Sequence, residues 1–74
     1  MTRLPAITPR ELVAALKRIG FEEHHQKGSH LALRHPVTKR RTIVAMHRKD
    51  LKRSTVKGIL LEAGLTEEDI LRLL

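Results

Sequence analysis

The chain has 74 residues, no cysteine and a formal net charge of +7. That length predicts one small domain over residues 1–74, and the missing cysteines exclude disulfides and thiolate metal ligands. No apolar run approaches the ~20 residues of a membrane span. The N-terminal segment lacks the apolar stretch of a signal peptide, so we expect a cytoplasmic protein.

The charge is unevenly distributed, which favours a polyanion as the partner. Arg34 to Arg53 contains eight Lys or Arg residues and one acid, Asp50, whereas residues 62–74 contain four acids and one arginine. A basic patch of this kind is typical of nucleic-acid binding, although a small basic protein can also carry such charge as a solvated surface. Phe21 is the single aromatic residue, which disfavours folds that stack single-stranded bases on aromatic rings.

The first element is predicted to be a helix that begins at Pro9. Thr8 is a typical N-cap, Pro9 suits the first helical position, and Glu11 completes a T-x-x-E capping box. Gly20 supplies the stop signal. The apolar residues that recur at helical spacing are Leu12, Val13, Leu16 and Ile19.

Three strands are predicted next, because the apolar pattern changes from helical to alternating. FEEHHQ (21–26) is largely polar and indicates an edge strand, after which Lys27 and Gly28 turn the chain. SHLALRH (29–35) alternates, and TIVAMH (42–47) is rich in β-branched residues. The second and third strands are therefore expected to form a hairpin across PVTKRR (36–41).

The register of this hairpin can be predicted from its apolar side chains. The expected pairs are Leu31 with Met46, Leu33 with Val44, and His30 with His47. Residues Val37–Arg40 would then form a four-residue loop, and Ile43 would lie beside Arg34 on the outer face. His30, Ala32 and Arg34 would share that face.

Two helices complete the chain. The first of them is expected to be capped by Ser54 or Thr55 and to end at Gly64, with Gly58 kept inside it for close packing. Thr66 precedes a short last helix, and the acidic side chains in its first turn interact favourably with the helix dipole. The apolar stripe of the longer helix is Val56, Ile59, Leu60 and Ala63. The predicted fold class is α+β: an α-β-β-β-α two-layer sandwich with a short extra C-terminal helix.

Most kinds of catalytic site are excluded by composition and spacing. Five histidines, at positions 24, 25, 30, 35 and 47, show no zinc-ligand spacing, so we expect no metal site. There is no cysteine or tyrosine nucleophile, and Ser29 alternates to the face opposite His30. The acids lie on presumed helix surfaces, so no carboxylate pair is expected.

RNA cleavage remains possible, because RNA supplies its own nucleophile, the 2′-hydroxyl. The site then needs only a base, an acid and stabilisation of charge. His30 could act as the base, and Lys27, Arg34 and the basic loop could hold the phosphate. Composition alone favours the alternative that His30 is an ordinary exposed strand residue.

Three segments resemble the HicA family of toxins from toxin–antitoxin pairs. They are LVAALKRIGF (Leu12 to Phe21), KGSHLALRHP (Lys27 to Pro36) and VAMHRKDLKRSTVKGILLEAGLTEEDI (Val44 to Ile70). The second is similar to the family's G-S-H signature, whose catalytic histidine corresponds to His30. The third departs from the family pattern, with Ala45 in place of the usual proline and Ser54 in place of the usual glycine.

The resemblance implies a double-stranded-RNA-binding-domain-like fold, an mRNA-cleaving activity and a HicB-like antitoxin partner. Charge complementarity predicts that this partner is acidic. His47 is a second candidate, as an acid or a phosphate contact, or simply a histidine that caps polar groups at a loop end. The remaining predicted RNA-binding residues are Lys27, Gly28, Ser29, Arg34, Lys39, Arg40, Arg41, Lys49, Lys52 and Arg53.

The sequence therefore predicts a metal-independent ribonuclease toxin without a cofactor. One alternative is a non-catalytic RNA-binding module that uses the same sheet and basic loop. A second is a DNA-binding helix-turn-helix formed by Val56–Ala63 and Thr66–Leu74. The acidic last helix disfavours this second alternative, because a recognition helix should be basic.

Overall fold

The computed structural model describes residues 4–74, so the first three residues of the expected domain lie outside the described part. The elements in chain order are α1 (Pro9–Arg18), β1 (Glu22–Lys27), β2 (His30–Arg34), β3 (Arg41–Ala45), α2 (Arg53–Ala63) and α3 (Glu67–Leu71). The strands form an antiparallel sheet in the order β1-β2-β3. The predicted α+β order and the extra C-terminal helix are confirmed. No helix among residues 4–74 combines the length and apolar composition that crossing a membrane requires.

Helix α1 begins as its sequence predicts. The Thr8 hydroxyl accepts a hydrogen bond from the Glu11 backbone N–H at 3.2 Å, and the Glu11 carboxylate accepts one from the Thr8 N–H at 3.0 Å. These reciprocal bonds satisfy two of the backbone donors that a helix N-terminus leaves free. The helix stops before Gly20.

The predicted start of α2 is wrong. The N-cap is Lys52, which makes no side-chain capping bond, and Arg53 is already helical. The Arg53 guanidinium donates to the Leu4 carbonyl at 3.5 Å, and this contact ties the start of the helix to the segment that precedes α1. Gly58 is also not explained by close packing, because a Cβ there would meet nothing within 4 Å.

The core lies between the two longer helices and one face of the sheet. Both α1 and α2 contact β3, and the inward strand residues Leu33 and Val44 are fully buried. The sheet's other face is open, since Ile43 is 58% exposed. The remaining buried apolar residues are Leu4, Ile7, Leu12, Val13, Ala15, Leu16, Phe21, Leu31, Leu51, Val56, Ile59, Leu60, Ala63 and Ile70.

The predicted hairpin register is wrong by two residues. The observed pairs are His30 with Ala45, Leu31 with Val44, Ala32 with Ile43, Leu33 with Thr42, and Arg34 with Arg41. Each side chain keeps its predicted face, because strand side chains alternate with a period of two. The four-residue loop is correspondingly Pro36–Lys39, closed by the His35 N–H donating to the Arg40 carbonyl at 2.9 Å.

A buried polar side chain makes this register possible. Thr42 faces the core at 2% exposure, and its hydroxyl donates to the Glu62 carboxylate on α2 at 2.9 Å. A buried hydroxyl without a partner would be costly, but this one is satisfied. An apolar pattern therefore could not identify Thr42 as the buried partner of Leu33, although alternation puts it on the inward face.

The loop itself is held by His35. Its Nδ1 lies 3.2 Å from the backbone nitrogens of Val37 and Thr38, and its Nε2 lies 3.0 Å from the Ile19 carbonyl oxygen. The N–H groups can only donate and the carbonyl can only accept, so the proton of the neutral ring is on Nε2. The ring also packs edge-on against Phe21, with centroids 5.2 Å apart. This histidine thus links α1, the hairpin loop and the core.

Candidate functional site

The open face of the sheet, here called the outer sheet face, carries three rows of side chains that cross β1, β2 and β3. The row next to the turn between β1 and β2 is Lys27, His30 and Ala45. The middle row is His25, Ala32 and Ile43, and the far row, next to the loop between β2 and β3, is Glu22, Arg34 and Arg41. Apart from Glu22, the charged groups in these rows are cations. The face therefore suits an anionic partner.

His30 begins β2 immediately after a two-residue loop, Gly28–Ser29. Gly28 has φ +59°, whereas Ser29 does not have a positive φ, the pattern of a type II′ hairpin turn. A Cβ at Gly28 would meet no atom within 4 Å, so the backbone conformation, and not crowding, favours glycine. This turn places His30 directly opposite Lys27.

An open depression of about 570 Å³ surrounds His30 on the outer sheet face. Its apolar floor includes Ala32 and Ile43, and its polar side chains include His25, Lys27 and His30. An imidazole can accept or donate a proton in a reaction, and an ammonium can stabilise a phosphate. The depression thus brings together proton-transfer groups and an anion-binding group. Gly28 and Ser29 complete its lining.

His25 was not among the predicted site residues, and its position depends on an irregularity in β1. The pairing shifts between Glu23 and His25, so that Glu23 lies opposite Leu33 and His25 lies opposite Ala32. His24 is the extra residue of this bulge. Bulges of this kind re-aim side chains. The sequence signal that could have found His25 is the Gly28–Ser29 turn, because counting back from the Lys27–His30 pair puts His25 on the same face.

The far row concentrates positive charge at the other end of the sheet. Arg34 and Arg41 are direct cross-strand partners, and like charges at such positions destabilise a sheet unless an anion lies near them. Glu22 flanks Arg34 on the other side. Lys39 lies close by, where it lines a second depression together with Arg34. These side chains can therefore contact one anionic chain that runs along the outer sheet face.

Two of the predicted RNA-binding arginines make contacts within the protein. The Arg40 guanidinium donates to the Glu62 carbonyl at 3.4 Å, near the C-terminus of α2. Arg40 packs so closely on Gly64 that a Cβ there would lie 2.6 Å from its Nε. Arg53 donates to the Leu4 carbonyl. Both remain exposed, but part of their hydrogen-bonding capacity is already used.

The other predicted residues lie between β3 and α2. His47 lines a separate depression at the start of α1, together with Pro9 and Arg10, and does not line the depression around His30. Lys49 and Lys52 are exposed in the same connection. Within residues 4–74 no group of three or more histidines and acids could hold a metal ion together.

The chain matches the model of a known protein family. The family model described as HicA toxin of bacterial toxin-antitoxin matches residues 9–65. That range begins at the first residue of α1, contains all three strands and ends just after α2. No curated protein matches the chain.

Proposed function

Because the chain belongs to the HicA toxin family, a family of toxins from toxin–antitoxin pairs, we propose that it is a metal-independent endoribonuclease. In this proposal mRNA binds on the outer sheet face and His30 is a catalytic residue. The observation that carries the proposal is the position of His30, which is exposed, directly opposite Lys27 and in an open depression of a cationic face.

The reaction needs no metal, because RNA provides the 2′-hydroxyl. The neutral His30 imidazole removes the 2′-hydroxyl proton, the 2′-oxygen bonds to phosphorus, and the bond from phosphorus to the 5′-oxygen breaks. Lys27 stabilises the negative charge that develops on the phosphoryl oxygens. The leaving 5′-oxygen takes up one proton as its bond to phosphorus breaks, so that the products are a 2′,3′-cyclic phosphate and a 5′-hydroxyl end.

The binding surface extends along the sheet from Lys27 to the Arg34–Arg41 pair. Those two rows are four residues apart along β2, which corresponds to about 13 Å, so several phosphates of one strand can be contacted. With one aromatic residue in the chain, recognition uses phosphates and shape more than base stacking. The other proposed contacts are Gly28, Ser29, Lys39, Arg40, His47, Lys49, Lys52 and Arg53.

Control comes from a HicB-like antitoxin in the same cytoplasm as the mRNA. The outer sheet face combines cations with an exposed apolar residue, Ile43, beside Ala32. An acidic partner with an apolar contact residue is complementary to that combination. Bound there, it would cover His30 and exclude RNA.

The experiment compares the parent with His30→Ala on a defined RNA in excess EDTA. The parent should cut the RNA and leave 2′,3′-cyclic ends, and 2′-O-methylation at the cleaved position should block cutting. His30→Ala should bind the RNA but not cut it. In cells the parent should arrest growth, and co-expression of the antitoxin should restore it.

Two outcomes would contradict parts of the proposal. A parent protein that binds RNA without cutting it would favour the non-catalytic RNA-binding module. A parent that cuts RNA only without EDTA would require a metal that the proposed mechanism does not use.

A further inference from the structure

We propose that His25 is the second catalytic residue of this site, the general acid that protonates the leaving 5′-oxygen while His30 acts as the base. This inference rests on the proposed ribonuclease function. It extends that function by assigning the second proton transfer, which the cleavage reaction needs and which His30 cannot perform in the same step.

Strand pairing places the two histidines on the same face. His25 lies opposite Ala32, and His30 is two residues away from Ala32 on β2. Diagonal neighbours of this kind are separated by about 7–8 Å between Cα atoms, within reach of long side chains. Both side chains line the same depression, and Lys27 lines it with them.

This spacing suits the geometry of the reaction. The attacking 2′-oxygen and the leaving 5′-oxygen lie on opposite sides of phosphorus, so the base and the acid must approach from two sides. Each must come within about 3 Å of its oxygen. Two imidazoles on neighbouring strands can bracket one phosphate in this way, and Lys27 is close enough to contact its non-bridging oxygens.

Each proton and bond is accounted for. The 2′-hydroxyl proton moves to His30 as the bond between the 2′-oxygen and phosphorus forms. The proton of the His25 imidazolium moves to the 5′-oxygen as the bond between that oxygen and phosphorus breaks. Exchange with water then restores the two starting protonation states.

The other histidines in the described part of the chain are less suited to this role. Both ring nitrogens of His35 are engaged with backbone groups. His47 lines a separate depression at the start of α1. His24, the bulge residue, lines the depression that contains Lys39 and Arg34.

The adjacent histidines provide a matched pair of variants, His25→Ala and His24→Ala. A general acid contributes about 10²–10⁴-fold to a rate, so single-turnover cleavage by His25→Ala at saturating RNA should fall at least ~100-fold. His24→Ala, whose side chain lines the neighbouring depression with Arg34 and Lys39, should stay within a few-fold of the parent under these conditions, because saturation removes any effect of a lost binding contact. In the parent, the rate should fall at high pH as the acid loses its proton. The His25→Ala profile should lose that alkaline limb.

A modified substrate separates acid catalysis from a merely structural role. In an RNA whose scissile 5′-oxygen is replaced by sulfur, the leaving group is a thiolate, which needs no proton to leave because thiols are far more acidic than alcohols. His25→Ala should cut this RNA nearly as fast as the parent does. His30→Ala should remain inactive on it, because the 2′-hydroxyl must still lose its proton.

The outcomes distinguish this inference from the proposed function. If His30→Ala is inactive while His25→Ala cuts ordinary RNA like His24→Ala, the ribonuclease proposal stands and the acid assignment is wrong. If His25→Ala is slow on both substrates and keeps the alkaline limb, His25 is a binding or structural residue and the assignment is also wrong. If His30→Ala cuts both substrates at the parent rate, the proposed function itself fails.

Discussion

Lys27 is the direct cross-strand partner of His30, and both side chains line the depression on the outer sheet face. Cross-strand partners have Cβ atoms about 5 Å apart, so the ammonium can reach a phosphate held at His30. Removing an enclosed donor of this kind costs about 10²–10³-fold in rate. The open depression should reduce that loss, and we expect Lys27→Gln to lower single-turnover cleavage at saturating RNA by at least ~10-fold.

Lys57→Gln is the matched control for this change. It removes one positive charge from α2, where the exposed Lys57 forms an ion pair with the half-buried Glu67 at 3.7 Å, and a pair at this distance with one exposed partner contributes little stability. Its cleavage rate should equal that of the parent. Equal losses in the two variants would mean that net charge, and not the position of Lys27, determines the rate.

The Arg34–Arg41 pair should determine much of the salt dependence of RNA binding. Each phosphate neutralised on a single strand contributes about 0.7 log units of affinity per log unit of salt. In a His30→Ala background, where RNA stays intact, Arg34→Gln with Arg41→Gln should flatten the slope by about 1.4. The measurement is affinity at several salt concentrations.

Arg40→Gln is the comparison, because Arg40 is adjacent in sequence but donates to the Glu62 carbonyl. We expect it to change the slope less than one phosphate contact would. If Arg40→Gln flattens the slope as much as the double variant does, RNA also contacts the C-terminal end of α2, and the Arg34–Arg41 pair has no special share in the salt dependence.

His35 should be a stability residue and not a catalytic one. Alanine at this position removes the ring's hydrogen bonds to the backbone at Ile19, Val37 and Thr38 and its contact with Phe21. At about 1 kcal/mol for each net hydrogen bond, with water replacing part of the loss in the exposed loop, we expect about 2–3 kcal/mol of destabilisation. Urea unfolding measures it. His24→Ala should change stability by less than about 0.5 kcal/mol, and equal stability of the two variants would refute the assignment.

Local signals predicted the helices better than the sheet. Helices α1 and α3 each begin with a capping box that spans four consecutive residues, so the start of each helix could be found from sequence alone. The hairpin register could not, because the burial of Thr42 depends on Glu62, a residue 20 positions later in another element. Alternation predicts faces, but it does not distinguish registers that differ by two residues.

The candidate site could be predicted only in part for a similar reason. His30 and Lys27 follow from a short motif and its turn. The grouping of His25 with His30 depends on the exact turn residues, Gly28 and Ser29, one position later than the sequence predicted. The hydrogen bond from Arg40 to the Glu62 carbonyl depends on the position of α2, which no pattern around residue 40 indicates.

Stability should fall in acid because of the capping carboxylates. The backbone N–H of Thr8 and, as the smaller effect, its hydroxyl donate hydrogen bonds to the Glu11 carboxylate and lower the pKa of Glu11 below its ordinary 4.5. The same two groups of Thr66 lower the pKa of Asp69 below its ordinary 3.8. The unfolded chain therefore binds more protons in this range. The stabilisation is present above the ordinary pKa values and is lost as pH falls through the lowered ones.

Glu11→Gln with Asp69→Asn tests this explanation. Unfolding free energies measured from pH 7 down to about pH 3 should decline less steeply for the double variant than for the parent, because the two replaced side chains no longer take up protons on unfolding. Parallel curves would show that other groups cause the loss of stability in acid.

The same substitution should have opposite effects at the two glycines of α2. Gly58 lies inside the helix with open space at its Cβ position, so Gly58→Ala should stabilise the protein by about 0.5–1 kcal/mol, chiefly by restricting the unfolded chain. Gly64 ends the helix at φ +76°, and a Cβ there would lie 2.6 Å from the Arg40 Nε. Gly64→Ala should therefore destabilise, since alanine disfavours positive φ and Arg40 must move. Urea midpoints that shift in the same direction for both variants would contradict this account. A stabilised Gly58→Ala that no longer binds the antitoxin would instead indicate that the bare backbone at Gly58 is a contact surface.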